Sequence, residues 1–323
     1  MPPTAEEARH PGAHAASPWA IPPRGWWQIA VRAGRRSATD RVPLMAAGVA
    51  FFSFLALFPS LIATILVYGL VSDPEDITGH LETLAGVLPQ VGVDLVEDQM
   101  DTLVAADRQG LGLGLAVSVL VALWSASLGI AHLISAVNAA YEQGERVGFV
   151  KRRAMALVFT GGAMVLFVVV MTLVAVFPAV VALGGVPRPL LNVGRWLVLL
   201  AVLAVSLGAV YRFAPERRSA RVPWVSVGAL VATAIWLAAS AGFSLYITYL
   251  GSYAETYGAL AGVVVILLWM WLSAMAVLFG AEVNAEAEHQ TDVDSTVGEP
   301  RPRGERGAVK ADAAVGRPPE SED

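Results

Sequence analysis

His132 is the one histidine set inside a long apolar run, with Ser125 seven residues before it and Asn138 six residues after it. Imidazole, hydroxyl and amide groups in such a run can pass a proton or hydrogen-bond a polar headgroup, because an ionisable group inside a membrane span faces the bundle or a watery cavity. Ser53 and Pro59, in an earlier apolar run, complete a candidate polar intramembrane site of Ser53, Pro59, Ser125, His132 and Asn138. A neutral histidine bonded to a neighbouring helix accounts for the same pattern. A second constellation closes the last apolar run, where Glu282 is a candidate inner-rim ion-pair partner for Arg152, Arg153 or Arg212. A structural pair competes there with a transport carboxylate.

Other chemistries lack their residues. The chain has no cysteine, which excludes thiolate nucleophiles, disulfides and cysteine-ligated metals. Metal-assisted phosphodiester cleavage needs clustered carboxylates or histidines. The five histidines (His10, His14, His80, His132 and His289) are scattered, so no metal site and no cofactor is expected. No G-x-x-x-x-G-K-[ST] loop is present for nucleotide phosphates. Apart from Trp26 and Trp27, the arginines lack the interleaved aromatics that stack on bases, so nucleic acid is not an expected partner. No catalytic residue is assigned, and the chain is not expected to be an enzyme.

The elements that must position these residues are six apolar stretches, approximately from Leu44 to Val71, Leu111 to Ala139, Ala154 to Leu183, Leu190 to Tyr211, Val222 to Leu250 and Gly258 to Ala281. About 20 helical residues cross a bilayer core, so each stretch suffices. Of 22 Lys and Arg, 19 lie in segments that would share one side of the membrane, and short loops rich in Lys and Arg stay cytoplasmic. The exceptions are Arg108, Arg188 and Arg195. The expected fold is all-α: a polytopic membrane protein built as a six-transmembrane-helix bundle with cytoplasmic termini. Membrane lipids are then partners by necessity, and the basic rim favours anionic headgroups.

Residues 1–23 are rich in proline and residues 285–323 mix charge, Gly and Pro without apolar periodicity, so both are expected to be disordered cytoplasmic tails around a membrane domain at 24–284. Between Arg24 and Asp40, Trp27, Ala30, Val31, Gly34 and Ala38 share one helical face opposite Gln28, Arg32, Arg35 and Arg36, which predicts an N-terminal interfacial helix. Asp40 reads as the N-cap of the first span, and Pro59 should bend that span. The acidic segment 72–110 carries Val93, Val96, Met100, Leu103 and Val104 at helical spacing, predicting an external helical loop between helices one and two. Tyr246, Tyr249, Tyr253 and Tyr257 with Glu255 form an outer aromatic cluster. In the second stretch Ala122, Gly129 and Ala136 flank Ser118, Ser125 and His132, and Gly258 and Gly262 open the sixth. Gly129, Gly258 and Gly262 are therefore expected packing positions, and such small-residue faces also admit a homo-oligomer.

Five segments together resemble the YihY/BrkB membrane family. They are Ala46-Ala47-Gly48-Val49-Ala50-Phe51-Phe52-Ser53 with Phe58-Pro59; Trp124-Ser125-Ala126-Ser127-Leu128-Gly129 with Asn138 and Tyr141; Arg146 with Phe149 and Lys151-Arg152-Arg153; Gly228 with Trp236, Phe243 and Tyr246; and Tyr253 with Tyr257-Gly258-Ala259-Leu260, leading to Trp269 and Gly280-Ala281-Glu282-Val283-Asn284. The resemblance implies a six-helix protein of the bacterial inner membrane and hands over no catalytic site. Members have carried labels of virulence and of a tRNA-processing ribonuclease, formerly ribonuclease BN, and the scattered histidines argue against the latter.

Two functions fit the residues. Transport or translocation of an amphiphilic, lipid-like substrate follows from a kinked first helix, a polar stripe on the second and few charges within the spans. A membrane scaffold or envelope-integrity protein follows from the small-residue faces, the acidic loop and the tails.

Overall fold

A computed structural model describes residues 10–71, 111–144, 148–182, 188–249 and 259–313. The described chain is helical: α1 (Pro23–Thr39), α2 (Val42–Val71), α3 (Leu111–Ala140), α4 (Phe149–Ala182), α5 (Arg188–Phe213), α6 (Val222–Tyr249), α7 (Ala259–His289) and a short α8 (Val309–Asp312). Pro23, Pro43, Pro189 and Pro223 each fall in the first two residues of a helix, where the missing N–H would have had no intrahelical acceptor. The external loop expected over 72–110, and Tyr253, Glu255, Tyr257 and Gly258, lie outside the described residues.

Five helices, α3 to α7, are long and apolar enough to cross a bilayer, and the bent pair of α1 with Val42–Leu57 makes a sixth if counted as one span. On α4 and α5 apolar side chains such as Val158, Val165, Leu197 and Val205 point outward. A soluble protein would cover so continuous an apolar surface, so this surface is read as lipid contact.

The bend between α1 and α2 is 65° and passes through Arg41, whose φ of 56° lies in the left-handed region. Asp40 closes α1 rather than capping α2, since its N–H donates to the Arg36 carbonyl at 2.8 Å. Trp27 is 72% exposed, with Ala30, Gly34 and Ala38 on the same outer side, while Gly25, Ile29 and Ala33 pack inward. Pro59 sits within a continuous α2, and Ser60 Oγ donates to the Ala56 carbonyl at 2.6 Å.

Within the bundle, α2 lies along the small-residue side of α3, and α7 packs against both α6 and α2. The tails depart from expectation. Residues 290–313 form a folded strap under the bundle, and the part of the N-terminal segment from His10 onward packs against it. Asp292 N–H donates to the Ala13 carbonyl (2.6 Å) and Thr291 Oγ1 to the Ala15 carbonyl (2.8 Å). Arg221 N–H donates to Ser295 and Val297 N–H to Ser219, both at 2.9 Å, tying the strap to the α5–α6 link. Asp294 accepts hydrogen bonds from the strap amides of Thr296 and Arg301, and Asp312 from those of Gly304, Arg306 and Ala308. Polar groups that find buried partners order this segment, which is why missing apolar periodicity misread it as disorder.

Candidate functional site

Helix α3 meets α2 at Gly129. A Cβ there would lie 2.8 Å from the Ser53 Cα, so only glycine allows the approach. One turn on, His132 stacks on Phe52 with ring centroids 3.7 Å apart and planes 11° from parallel. Ser53 and His132 therefore make a helix-to-helix seam, with Ser125 half-buried two turns from His132. Asn138 belongs elsewhere: its Oδ1 accepts the Glu216 N–H at 2.7 Å and its Nδ2 donates to the Ile134 carbonyl at 3.1 Å, fastening α3 to the α5–α6 link. The expected polar site is thus not assembled as one unit. Gly262 has no atom within 4 Å of its Cβ position and is exposed, so among the described residues no close approach depends on it.

The expected inner-rim ion pair is also not formed. Arg152 lies 3.9 Å from Glu216. Arg153 donates to the Trp124 carbonyl and lies 3.9 Å above the Trp124 ring, and Arg212 lies 5.3 Å from the Phe213 ring. Glu282 is fully buried with neither carboxylate oxygen hydrogen-bonded. Its neighbours on α7 hold the ion pairs instead, because Glu286 and Glu288 follow it into the base of the bundle.

Arg217 and Glu288, both fully buried, form a two-point pair with both bonds at 2.7 Å. Ser295 Oγ donates to the same carboxylate at 2.7 Å, and the Arg217 guanidinium lies 4.2 Å over the Tyr141 ring. Burial alone would lower the Arg217 pKa, yet the Glu288 carboxylate opposite raises it, so the arginine keeps its charge. Burial pushes the Tyr141 phenol above its ordinary range. Glu286 accepts from Arg32 at 2.7 Å and from Lys310 at 2.9 Å. Glu142, at φ 53°, accepts from Arg36 and Lys310, both at 2.9 Å. Above this base Gly228 and Gly280 let α6 and α7 touch, since a Cβ on Gly228 would collide with the Gly280 carbonyl and the Asn284 amide. Asn284 Oδ1 accepts the Gly228 N–H at 2.7 Å, and Tyr211 donates to the Val277 carbonyl at 2.7 Å.

A third feature lies between α6 and α7, toward the other end of the bundle. Ala239, Gly242, Phe243 and Tyr246 face Leu268, Trp271 and Leu272 across an open apolar groove of about 390 Å³. Trp271 is fixed by its Nε1 donating to the Pro43 carbonyl at 3.0 Å. Deeper on α6, Trp236 Nε1 donates to Ser273 Oγ at 3.1 Å. Among the described residues no group of three or more His, Asp or Glu is arranged to hold a metal.

The family model of virulence factor BrkB matches residues 33–305, which span α2 through α7 and most of the strap. The chain belongs to the BrkB family. One relative, named as the ribonuclease-like protein YfkH of Bacillus subtilis (strain 168), is 32% identical over 250 residues, covering 74% of this chain and 88% of that one. A UPF0761 membrane protein of Alteromonas mediterranea is 28% identical over 274 residues, covering 79% and 89%. A UPF0761 membrane protein of Vibrio parahaemolyticus is 40% identical over 101 residues, covering 30% and 32%. No solved structure matches significantly. The BrkB match runs through residue 305, so most of the strap belongs to the family domain and Lys310 lies beyond it.

Sequence reasoning missed Arg32, Arg217, Glu286, Glu288 and Lys310 as partners. One signal was available: the alternation Ala285-Glu286-Ala287-Glu288 places small and charged residues together at the end of an apolar helix, where carboxylates need buried cations.

Proposed function

We propose that this multi-pass membrane protein binds and moves an amphiphilic, lipid-like molecule, entering from the bilayer through the groove between α6 and α7. The groove is the observation that carries this reading. Its volume of about 390 Å³ and apolar lining suit an acyl chain, and binding sites for small molecules fall at roughly 300–1,000 Å³. Tyr246 at one end supplies a hydroxyl for a polar head. In lipid the hydrophobic effect gives no preference for the groove, so shape and van der Waals contact must select the occupant. The base, with its buried ion pairs, faces the cytoplasm in this reading, which the placement of 19 of 22 Lys and Arg supports. The role is non-catalytic, and phosphodiester cleavage is left out because the histidines are scattered along the sequence.

Purified protein in proteoliposomes tests the proposal against a panel of labelled lipids. Substrate-dependent movement that Gly242→Trp stops supports it; no movement above protein-free vesicles overturns it. The Cβ position of Gly242 has no atom within 4 Å, so a side chain can begin there, on the groove wall, without meeting a neighbour at its first atom.

A second reading, a membrane scaffold, is favoured by the closed α2–α3 seam at Ser53 and Gly129. It expects a partner protein to be lost from Gly262→Ile and no effect of Gly242→Trp.

A further inference from the structure

Lys310, carried on α8, is 2% exposed, and its Nζ donates to Glu142 and to Glu286 at 2.9 Å each. One turn up α7, Glu282 is 0% exposed and neither of its carboxylate oxygens has a hydrogen-bond partner. It lies within electrostatic reach of Asp40, Lys310, Glu286 and Arg36. The cluster therefore sets the carboxylates of Asp40, Glu142, Glu282 and Glu286 against the cations of Arg32, Arg36 and Lys310. A buried carboxylate left without a donor is costly and marks a place where a donor belongs.

The origin of the donor matters. All four carboxylates lie within the family-matched residues 33–305, whereas Lys310 comes from outside them. The four carboxylates lie inside the matched range, and the ammonium that meets them comes from beyond it. Among the described residues no three His, Asp or Glu have metal-holding geometry, while an ammonium already sits there on two good hydrogen bonds. We propose that the pocket walled by Glu142, Glu282 and Glu286 is a binding site for a primary ammonium group, and that Lys310 is its tethered occupant, a latch that closes the base with the C-terminal strap. Tethering gives Lys310 a high effective concentration, so a free amine enters only when the lysine is removed. The site is separate from the α6–α7 groove and does not depend on what the groove carries.

The test compares ethylammonium, which donates N–H bonds, with tetramethylammonium, which has the charge and no donor. Lys310→Met keeps the aliphatic stem and removes the ammonium. Its thermal midpoint is expected to fall, to recover by at least half of the loss in ethylammonium chloride, and to stay low in tetramethylammonium chloride, with the wild-type protein unmoved by either. Equal effects of the two salts, or equal effects on wild type, overturn the proposal. A second arm needs no lysine variant. Lys151 and Lys310 are the chain's two lysines and Lys151 is exposed, so acylation of one reports on the other. Lys310 is expected to react far more slowly than Lys151, and Glu282→Gln to raise its rate about tenfold, a loss of about 1.4 kcal/mol of retention. An unchanged rate removes Glu282 from the site and overturns the assignment.

Discussion

Arg217 is the residue on which the base depends most, because its guanidinium joins Glu288, the Tyr141 ring and, through Glu288, Ser295 of the strap. Removing one member of a fully buried pair leaves an uncompensated charge. Arg217→Met is expected to cost about 3–5 kcal/mol, read as a lowered unfolding midpoint in detergent, and the double change with Glu288→Met to cost less than Arg217→Met alone. Gly129→Val forces the α2 backbone to move and should cost about 1–3 kcal/mol, whereas Gly262→Val should leave the isolated fold unchanged by the same measurement. Gly129 was legible in the sequence because its small neighbours recur at helical spacing. Arg217 was not, since an arginine in a short link satisfies the topology rule whether it points to water or into the protein. Glu282 was legible as an inner-rim acid in need of a cation, but its partners were sought at Arg152, Arg153 and Arg212, and the cations within its electrostatic reach are Arg36 of α1 and Lys310 of α8.

At the scale of elements, the strap is the largest departure from expectation. Burial alone would raise the Asp294 pKa, but the amides of Thr296 and Arg301 and the Thr296 hydroxyl hold it below the ordinary aspartate range. Its contribution to docking is therefore full above the ordinary aspartate value and is lost as pH falls through the lowered folded value. Proteolysis within residues 290–313 is expected to be slow at neutral pH and to accelerate below about pH 4, while Asp294→Asn makes it fast at neutral pH. Equal protection of the variant at neutral pH would remove Asp294 from this role. Hydropathy cannot reveal such a segment, because its order comes from satisfied polar groups and not from an apolar stripe. Helix α1 was half legible for the same reason: the face with Trp27, Ala30 and Gly34 is outward as the pattern predicts, but Arg32 turns inward to Glu286. The break at Arg41 divides α1 from α2, which the apolar stretch beginning at Leu44 did predict.

For the whole molecule, the all-helical fold and the order of the long apolar helices could be read from hydropathy, because every backbone group in lipid must be satisfied within a helix; five of these helices are long and apolar enough to span, or six with the bent α1–α2 pair. The groove could not be read. It arises where small residues of α6, Ala239 and Gly242, stand opposite Leu268 and Trp271 of α7, and no spacing within one helix announces the neighbour that faces it. The candidate site accordingly moves from the α2–α3 seam, which is packed, to the α6–α7 face, which is open. Lipid movement in proteoliposomes, measured side by side for wild type and Gly242→Trp, tests this placement most directly. Wild-type vesicles should move labelled lipid faster than empty vesicles and the variant should not; equal rates for wild type and variant would contradict it.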